Sequence, residues 1–385
     1  MTRANSQPIP IALDVSCAAE IPLTGIGYAA IYQVRALLAL PQTRFAFSYF
    51  AAGARRGTAS LLRELGNINV VSLPYARLAK YYLWTSLAWP PLEYFTGPAR
   101  IAHNFSHQTP ATSKALKLVT IHDMSVYRHP ETHTPRTVDV QKTLLEDCAR
   151  RADFIVAVSE SCKMELCDIL NIDSGRVHVI HNGVDTSEFD MPFDEARLAF
   201  LRNQNGIRDD YLIHIGTIEP RKNIQRLLAA YRALRGRRRT LPQLVFVGAK
   251  GWNADAILDD MNSLGPDLVR PGYLSRADLV LLLRGAVACV YPSLYEGFGL
   301  PVLEAMAART PVLTSKTTSL PEVAGDAAIY ADPLNIDSIA HGIDRILDDP
   351  AGARARAELG RARAEALSWN ASAAQLASLY ESLAN

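Results

Sequence analysis

The sequence lacks the features of a disulfide-bonded, metal-binding or membrane-spanning protein. Its 385 residues include five cysteines, Cys17, Cys148, Cys162, Cys167 and Cys289. They show neither a paired CxxC spacing nor nearby histidines in the register of a metal site, so we expect reduced, mostly buried thiols. No stretch approaches the ~20 consecutive apolar residues that a spanning helix needs. The polar N-terminus lacks the apolar core and basic flank of a secretory signal, and we therefore expect a cytoplasmic protein.

An excess of charge of one sign is also missing from the chain as a whole. The formal net charge is +1, which argues against a nucleic-acid partner because such proteins carry a clearly basic domain. Residues 1–122, however, contain eleven Lys and Arg against four Asp and Glu. Within them, residues 76–95 combine Arg77 and Lys80 with six aromatic side chains. This mixture suits peripheral contact with an anionic membrane at its cytoplasmic face; the alternative is a buried helix with a solvated basic edge.

Apolar runs rich in β-forming residues alternate with helical patterns along the whole chain. A chain of 385 residues exceeds what one hydrophobic core usually serves, and the alternation predicts parallel sheets covered by helices. The predicted strands are 9–15, 44–50, 117–121, 154–158, 177–180, 211–215, 244–247, 288–291 and 311–314. We therefore expect an α/β fold with two Rossmann-like, doubly wound parallel-sheet domains.

Turn residues at 181–185 indicate the boundary between these domains. The predicted N-terminal domain covers residues 1–185, and the predicted C-terminal domain covers residues 186–366. Apolar residues at helical spacing near the end of the chain predict a helix within 367–385. We expect this helix to pack across the domain junction.

The most informative stretch for chemistry is residues 291–304, which combines a strand end, a glycine-rich loop and a helix start. Gly297 and Gly299 let the backbone turn tightly and approach a ligand. Pro301 suits a first helical turn, where its missing N–H costs nothing. Unpaired amides around Gly299 and Leu300 would form an anion site suited to a diphosphate.

Two carboxylates flank this expected anion site. Glu296 lies in the loop, and we expect Glu304 in the first turn of the helix, so they should hold different parts of a ligand. A carboxylate is a natural acceptor for ribose hydroxyls, and we assign that role to Glu304. Glu296, nearer the diphosphate, would accept hydrogen bonds from the sugar. Alternatively, Glu304 only favours a helix N-terminus.

A second cluster, residues 215–223, also lies at a strand end and opens a helix. Its adjacent cations, Arg221 and Lys222, oppose the dipole of a helix N-terminus, so we expect an anion to compensate them. A forked guanidinium and a compact ammonium together suit a diphosphate and the charge that develops on a departing phosphate oxygen. The alternative is solvation at the surface.

These segments, taken in order, resemble the retaining nucleotide-sugar transferases of glycosyltransferase family four, which have the GT-B fold. The matching segments are Thr24-Gly25-Ile26-Gly27, Ile121-His122-Asp123, Asn182-Gly183-Val184-Asp185, Gly216 to Asn223 and Glu296 to Glu304. The resemblance covers most of the chain. It implies two Rossmann-like domains facing across a cleft, the first binding the acceptor and the second binding the nucleotide sugar.

Similarity to the family implies catalytic roles for His122, Glu296, Arg221 and Lys222. Arg221 and Lys222 would bind the donor diphosphate, and Glu296 would contact the sugar near its reacting face. The His122-Asp123 pair is similar to the mannosyltransferase-like branch, in which His122 would contact sugar hydroxyls; the alternative is a structural histidine. The residues assigned to donor binding are Gly25, Gly27, Asp123, Thr217, Gly248, Leu274, Tyr295, Gly297, Phe298, Gly299, Leu300 and Glu304.

Two details of this assignment concern loops. Gly25 and Gly27 would bring a loop of the N-terminal domain against the phosphates, although Thr24 stands where the family usually has a glycine. The backbone around Tyr273 and Leu274 would face the nucleobase.

The implied reaction is a hexosyl transfer with retention, best interpreted as mannose moving from GDP-mannose to a glycan or lipid-linked oligosaccharide. The arrangement requires no metal or other cofactor, because two cations supply the electrostatics and no Asp-x-Asp motif accompanies them. The alternatives are a nucleotide-sugar epimerase and a non-catalytic nucleotide-sugar or glycan-binding protein. An NAD dehydrogenase is disfavoured because Gly25-Ile26-Gly27 does not continue as GxGxxG.

Overall fold

The computed structural model describes residues 7–19, 23–41, 44–52, 65, 70–74, 77–272 and 274–385. The chain divides into two compact units. The first unit is assigned residues 1–124, 139–183 and 369–385, and the second is assigned residues 125–138 and 184–368. The predicted boundary after residue 185 stays a prediction, while this division falls between Gly183 and Val184.

The first unit is built on a seven-stranded sheet. Its strands are β1 Ile9–Asp14, β2 Phe45–Ala52, β3 Val70–Leu73, β4 Ile101–Asn104, β5 Leu116–Ile121, β6 Phe154–Ala157 and β7 Val177–Val179. They lie in the order β3-β2-β1-β4-β5-β6-β7, and neighbouring strands are parallel. The carboxyl ends of β1, β4 and β5 therefore meet at one edge, where open α/β sheets bind ligands.

The second unit is built on a six-stranded parallel sheet. Its strands are β8 Tyr211–Ile215, β9 Gln243–Val247, β10 Leu268–Val269, β11 Ala288–Tyr291, β12 Val312–Ser315 and β13 Ala328–Ala331. They lie in the order β10-β9-β8-β11-β12-β13. The neighbours β8 and β11 precede the two segments that the sequence singled out. The two parallel sheets confirm the predicted pair of Rossmann-like folds.

Helices alternate with these strands, as the sequence pattern predicts. Those of the first half are α1 Gly25–Ala39, α2 Arg77–Tyr82, α3 Glu93–Thr96, α4 Ser125–Arg128, α5 Pro135–Arg151 and α6 Glu160–Leu170. Those of the second half are α7 Glu195–Asn205, α8 Ile224–Arg235, α9 Asp255–Asn262, α10 Arg276–Gly285, α11 Leu300–Ala307, α12 Leu320–Ala324, α13 Ile336–Asp348, α14 Pro350–Ala366 and α15 Trp369–Ala384. Within the described ranges, no helix combines the length and apolar character needed to cross a membrane.

The C-terminal helix α15 packs within the first unit. Trp369 stacks on Tyr32 of α1, with ring centroids 5.8 Å apart. The hydroxyl of Tyr380 lies 2.6 Å from Nδ1 of His103, a buried residue of β4. Helix α15 therefore completes a layer over the first sheet, and its predicted packing across the domain junction stays a prediction.

Lys80, one of the two basic residues of α2, is not on a solvated edge, which corrects the alternative that the sequence left open for residues 76–95. Lys80 is 4% exposed and its ammonium pairs with Asp14, at the carboxyl end of β1. The same ammonium lies 4.7 Å from the centroid of the Trp84 ring. Asp14 also accepts a hydrogen bond from the backbone N–H of Ser16 at 2.9 Å. Of the segment 76–95, Ala76 and the side chains of Arg77 and Leu78 lie outside the described residues.

Replacing Lys80 by alanine should destabilise the first unit by about 3–5 kcal/mol, because it leaves the Asp14 carboxylate buried without its cation. The matched control is Arg44→Ala, which removes an ion pair with Glu381. The side chain of Arg44 is 67% exposed in that pair. We expect that change to lower the unfolding midpoint far less, because solvent screens an exposed pair. Urea unfolding of both variants measures the difference, and equal midpoints would contradict the assigned importance of the buried pair.

Candidate active site

His122 follows β5 at the carboxyl edge of the first sheet, and its ring contacts the loop that follows the neighbouring strand β4. Its Nε2 lies 2.8 Å from the carbonyl oxygen of Phe105, just after β4. Because a carbonyl only accepts, Nε2 carries the proton and Nδ1 is the acceptor nitrogen. Burial lowers the pKa of His122 below its ordinary value. The ring is therefore neutral near pH 7, with Nδ1 suited to a sugar hydroxyl.

A second histidine of this edge, His107, was missed by sequence reasoning. Burial lowers the pKa of His107 to about 4, and the charges of Asp123 and His122 also act on it. Its loop is shaped by Asn104, which accepts a hydrogen bond from the backbone N–H of Ser106 at 2.8 Å. Only the adjacency of β4 and β5 brings this loop beside His122, so no local motif signals it.

The start of α1 is a tight capped turn. Thr24 is the N-cap residue, and its hydroxyl accepts a hydrogen bond from the N–H of Gly27 at 3.3 Å. A Cβ atom at Gly27 would lie 2.7 Å from the carbonyl oxygen of Cys17, so this position requires glycine. A Cβ atom at Gly25 would meet no atom of the described residues within 4 Å. Thr24, the departure from the family pattern, thus has a local structural reason as a cap.

In the second unit, two cations and two carboxylates form one buried cluster. The ammonium of Lys222 donates to Glu296 at 2.7 Å and to the hydroxyl of Tyr291 at 2.6 Å. The guanidinium of Arg221 donates to Glu296 at 3.1 Å and to Glu219 at 2.6 Å. The formal charges of the four groups cancel. The anions that compensate Arg221 and Lys222 are therefore two carboxylates of the protein itself, and sequence reasoning missed Glu219 and Tyr291.

Backbone geometry holds this cluster where β8 ends. Gly216 has φ 144° and Asn223 has φ 60°, and a short 3₁₀ turn, Pro220–Lys222, lies between them. The side-chain amide of Asn223 donates to the carbonyl oxygens of Pro292 and Pro333, at 2.9 and 2.7 Å. These bonds tie the loop after β8 to the loops after β11 and β13.

The electrostatics of the cluster keep Glu296 ionised. Burial alone would raise the pKa of Glu296, but the ammonium of Lys222 and the guanidinium of Arg221 outweigh burial and hold that pKa at about 2. Burial and the adjacent charge of Arg221 lower the pKa of Lys222 from its ordinary value, against the opposing effect of Glu296. A carboxylate and an ammonium thus share one buried site, and each favours the charged form of the other.

The glycine-rich loop after β11 is held by hydrogen bonds from residues 318–319, a segment that sequence reasoning missed. Ser319 donates to the carbonyl oxygens of Glu296 and Phe298, at 2.8 and 2.9 Å. The hydroxyl of Thr318 accepts from the N–H of Glu296 at 3.2 Å. Gly299 has φ 105° and is the N-cap residue of α11, so a side chain there would be strained. The loop reaches the helix start with a defined shape.

Glu304 does not lie in the first turn of its helix, which corrects that expectation. Helix α11 begins at Leu300, so Glu304 is its fifth residue and lies in the second turn. Its carboxylate oxygen Oε1 accepts a hydrogen bond from Arg276 of α10 at 2.5 Å. The interpretation of Glu304 as a helix N-terminal charge is therefore wrong.

The remaining predicted donor residues surround the ends of β8 to β10. Gly248 lies so close to Gly216 that a Cβ atom added to Gly248 would be 1.9 Å from the carbonyl oxygen of Gly216. Gly248 also lines a cavity of about 410 Å³, together with Ile218 and Gly272. Leu274 is half-buried and lies two residues after Gly272 in the chain. Tyr273 lies outside the described residues.

The structure thus brings Arg221, Lys222 and Glu296 into one network, which also reaches Tyr295 through a hydrogen bond from Arg221 to its carbonyl oxygen at 2.9 Å. Glu304 belongs to a separate pair with Arg276. The predicted residues of the first unit are Gly25, Gly27, His122 and Asp123. Among the described residues, no group of three or more His, Cys, Asp or Glu side chains is arranged to hold a metal ion.

Two Rossmann-like parallel-sheet units, with a cation–carboxylate cluster before a glycine-capped helix, define a glycosyltransferase of GT-B type. Comparison with known families agrees: residues 199–365 match the family described as glycosyl transferases group 1, and residues 54–188 match the family described as glycosyltransferase family 4. The chain belongs to this glycosyltransferase family and is a hexosyltransferase.

Individual proteins support the same assignment. The chain is 34% identical over 269 residues to the O-antigen chain mannosyltransferase B of Escherichia coli, covering 69% of this chain and 70% of that protein. It is 32% identical over 223 residues to the serotype-specific mannosyltransferase WbdA of Escherichia coli, covering 57% of this chain but only 27% of WbdA. The fold matches the crystal structure of Anabaena HepE in complex with UDP-glucose, with a TM-score of 0.73 at 16% identity, covering 97% and 100% of the two chains.

If Lys222 has the role that the family resemblance implies, replacing it by alanine should reduce turnover of the nucleotide-sugar donor by about 10²-fold or more, because no ammonium would then stabilise the departing phosphate. The control is Lys316→Ala, in the same unit, whose side chain is 61% exposed. Steady-state rates should be measured on variants whose thermal unfolding midpoints match the parent. Near-parental turnover in a folded Lys222→Ala protein would refute the role.

Proposed function

We propose that the protein transfers mannose from GDP-mannose to a glycan or lipid-linked oligosaccharide, with retention of anomeric configuration, in polysaccharide synthesis of the O-antigen type. The names of two relatives, both mannosyltransferases, support the sugar. The observation that carries the proposal is the buried network of Arg221, Lys222 and Glu296 directly before the start of α11.

The donor diphosphate binds between Lys222 and the first amides of α11. An ammonium has three N–H groups, and two of those of Lys222 are directed at Glu296 and Tyr291. The third is suited to a phosphate oxygen. Arg221 uses its fork to hold the two carboxylates of the cluster and adds positive charge near the phosphates. The helix amides around Leu300 complete the anion site.

The reaction breaks the bond between the anomeric carbon and the phosphate oxygen, while the sugar becomes oxocarbenium-like. Lys222, Arg221 and the helix amides carry the charge that develops on the departing diphosphate. The acceptor hydroxyl forms the new bond on the face from which the phosphate leaves and passes its proton to that phosphate. Glu296, held ionised by its two cations, accepts hydrogen bonds from the sugar and orients it.

The remaining predicted residues take the roles toward the donor that the family resemblance implies. Nδ1 of His122 accepts a hydrogen bond from a sugar hydroxyl, for which its tautomer is suited. Gly25 and Gly27 allow the loop before α1 to approach the phosphates. Glu304 accepts hydrogen bonds from the ribose, and the backbone beside Leu274 faces the base.

GDP should raise the thermal unfolding midpoint and bind in calorimetry, whereas UDP, dTDP and ADP should bind more weakly. Binding should be equal with Mg²⁺ and with EDTA, because Arg221 and Lys222 supply the positive charge. In Glu304→Ala the affinity for GDP should fall about 10-fold or more, since ribose hydroxyls lose a charged acceptor. The control is Glu358→Ala, an exposed carboxylate of the same unit.

A different base as the tightest ligand would refute the GDP assignment while keeping the transferase. If none of the four diphosphates binds, the proposed donor site is wrong.

We also propose peripheral contact with an anionic membrane through the segment that runs from the end of α2 into α3. Tyr82, Leu87, Trp89 and Tyr94 are all exposed, Tyr94 to 74%. Amphipathic aromatic rings of this kind favour the headgroup region of a bilayer. Lipid-linked acceptors lie at that surface, so the contact would bring the first unit to its acceptor.

Binding to vesicles that contain phosphatidylglycerol should weaken as salt rises and should exceed binding to phosphatidylcholine vesicles. The double variant Trp89→Ser/Tyr94→Ser should lose most of this binding in a flotation assay. Phe200→Ser, which removes an exposed aromatic of the second unit, is the control. Salt-insensitive binding, or equal binding by the double variant and the parent, would refute the membrane contact.

A further inference from the structure

Arg276 joins two carboxylates at the start of α10. Its NH1 donates to Oε1 of Glu304 at 2.5 Å, and its Nε donates to Oε2 of Glu188 at 2.8 Å. The carbon centre of the guanidinium lies 5.5 Å from the centroid of the Phe189 ring. Two charged hydrogen bonds and one ring contact therefore fix the plane of this side chain.

The guanidinium of Arg276 and the two carboxylates that it joins are only partly exposed. The exposed fractions of the side chains are 28% for Arg276, 22% for Glu188 and 19% for Glu304. Ion pairs that are shielded in this way are screened less by salt than pairs in open water. We therefore expect the arrangement to persist in solution.

One of the two partners of Arg276, Glu304, is the carboxylate to which the proposed function assigns ribose binding. A free glutamate side chain samples several rotamers, and restricting them before a ligand arrives reduces the entropy cost of binding. An ionised carboxylate offers about four lone-pair positions. Arg276 occupies one of them on Oε1, so the others remain for a ligand while the carboxylate cannot rotate freely.

We propose that Arg276 is a positioning residue that orients Glu304 to accept hydrogen bonds from both vicinal hydroxyls of a ribose, and so selects ribonucleotide over 2′-deoxyribonucleotide donors. This inference rests on the proposed function of Glu304. Beyond that function, we infer that the site binds nucleoside diphosphates without the 2′-hydroxyl more weakly.

A neighbouring ion pair on the same helix provides a comparison. Arg197 of α7 donates to both oxygens of Asp278 of α10, each at 2.9 Å. Its side chain is 42% exposed. This pair joins two helices without involving Glu304, so its loss should leave nucleotide selectivity unchanged.

Calorimetric titration with GDP, 2′-deoxy-GDP, UDP and 2′-deoxy-UDP tests the proposal. The parent should prefer the ribonucleotide of the base it binds by about 10-fold, the scale of a lost hydrogen bond to a charged group. In Arg276→Gln this preference should fall to about 2-fold or less, with little change for the deoxynucleotide. Arg276→Lys should be intermediate, because an ammonium lacks the fork that reaches two carboxylates. The control Arg197→Gln should keep the full preference.

Thermal unfolding of each variant identifies loss of fold. If Arg276→Gln does not fold, Glu188→Gln is measured in its place. That change weakens the hydrogen bond that Arg276 makes to Glu188 and should reduce the preference for the ribonucleotide about 3-fold.

The outcomes separate this inference from the proposed function. If the parent binds none of the four nucleotides, the donor site itself is wrong. If the parent prefers ribonucleotides and the folded variant retains that preference, only the role of Arg276 is overturned. Equal weakening of ribo- and deoxyribonucleotides would also overturn it, since Arg276 would then act on another part of the ligand. A parent without any ribose preference would overturn both roles at Glu304.

Discussion

The candidate site depends on the mutual neutralisation of Lys222, Arg221, Glu296 and Glu219. Each of these groups would be costly to bury alone, and together they satisfy one another through hydrogen bonds of 2.6–3.1 Å. The consequence is a rigid, preorganised array rather than a patch of free positive charge. A ligand entering it meets oriented N–H groups whose counter-charges are already in place, which is the condition for strong electrostatic stabilisation of a developing anion.

Strand order explains why these residues meet. β8 and β11 are parallel neighbours, so the loops that follow them share one edge, and the loop after β12 supplies Thr318 and Ser319 beneath the glycine-rich turn. The first unit uses the same principle at β1, where the buried pair of Asp14 and Lys80 closes the carboxyl edge of the strand. In both units, polar groups gather where a parallel sheet ends, because only there does the backbone leave them room.

The strands that the sequence predicts agree with the structure to within two residues, because apolar runs bounded by turn residues mark them along the chain. Sequence reasoning missed four strands: β10 has two residues, β4 ends in His103 and Asn104, and β3 and β13 have four residues each. In the candidate site, the motifs identify Arg221, Lys222 and Glu296, since all three lie in local patterns. Glu219, Tyr291 and Arg276 acquire meaning only through contacts between distant segments, which no spacing along the chain reveals. The turn assigned to Glu304 was wrong although the helix start was right, because the fifth residue counted from Leu300 already lies beyond a first turn of 3.6 residues.

The placement of α15 in the first unit has a consequence for biosynthesis. The hydrogen bond between Tyr380 and His103 joins residues separated by 277 positions, and the whole of residues 184–368 is translated between them. On the ribosome, the second unit can finish folding while the first still lacks one of its layers. The surface of α1 and β4 that α15 covers therefore remains exposed until the last residues of the chain have been made.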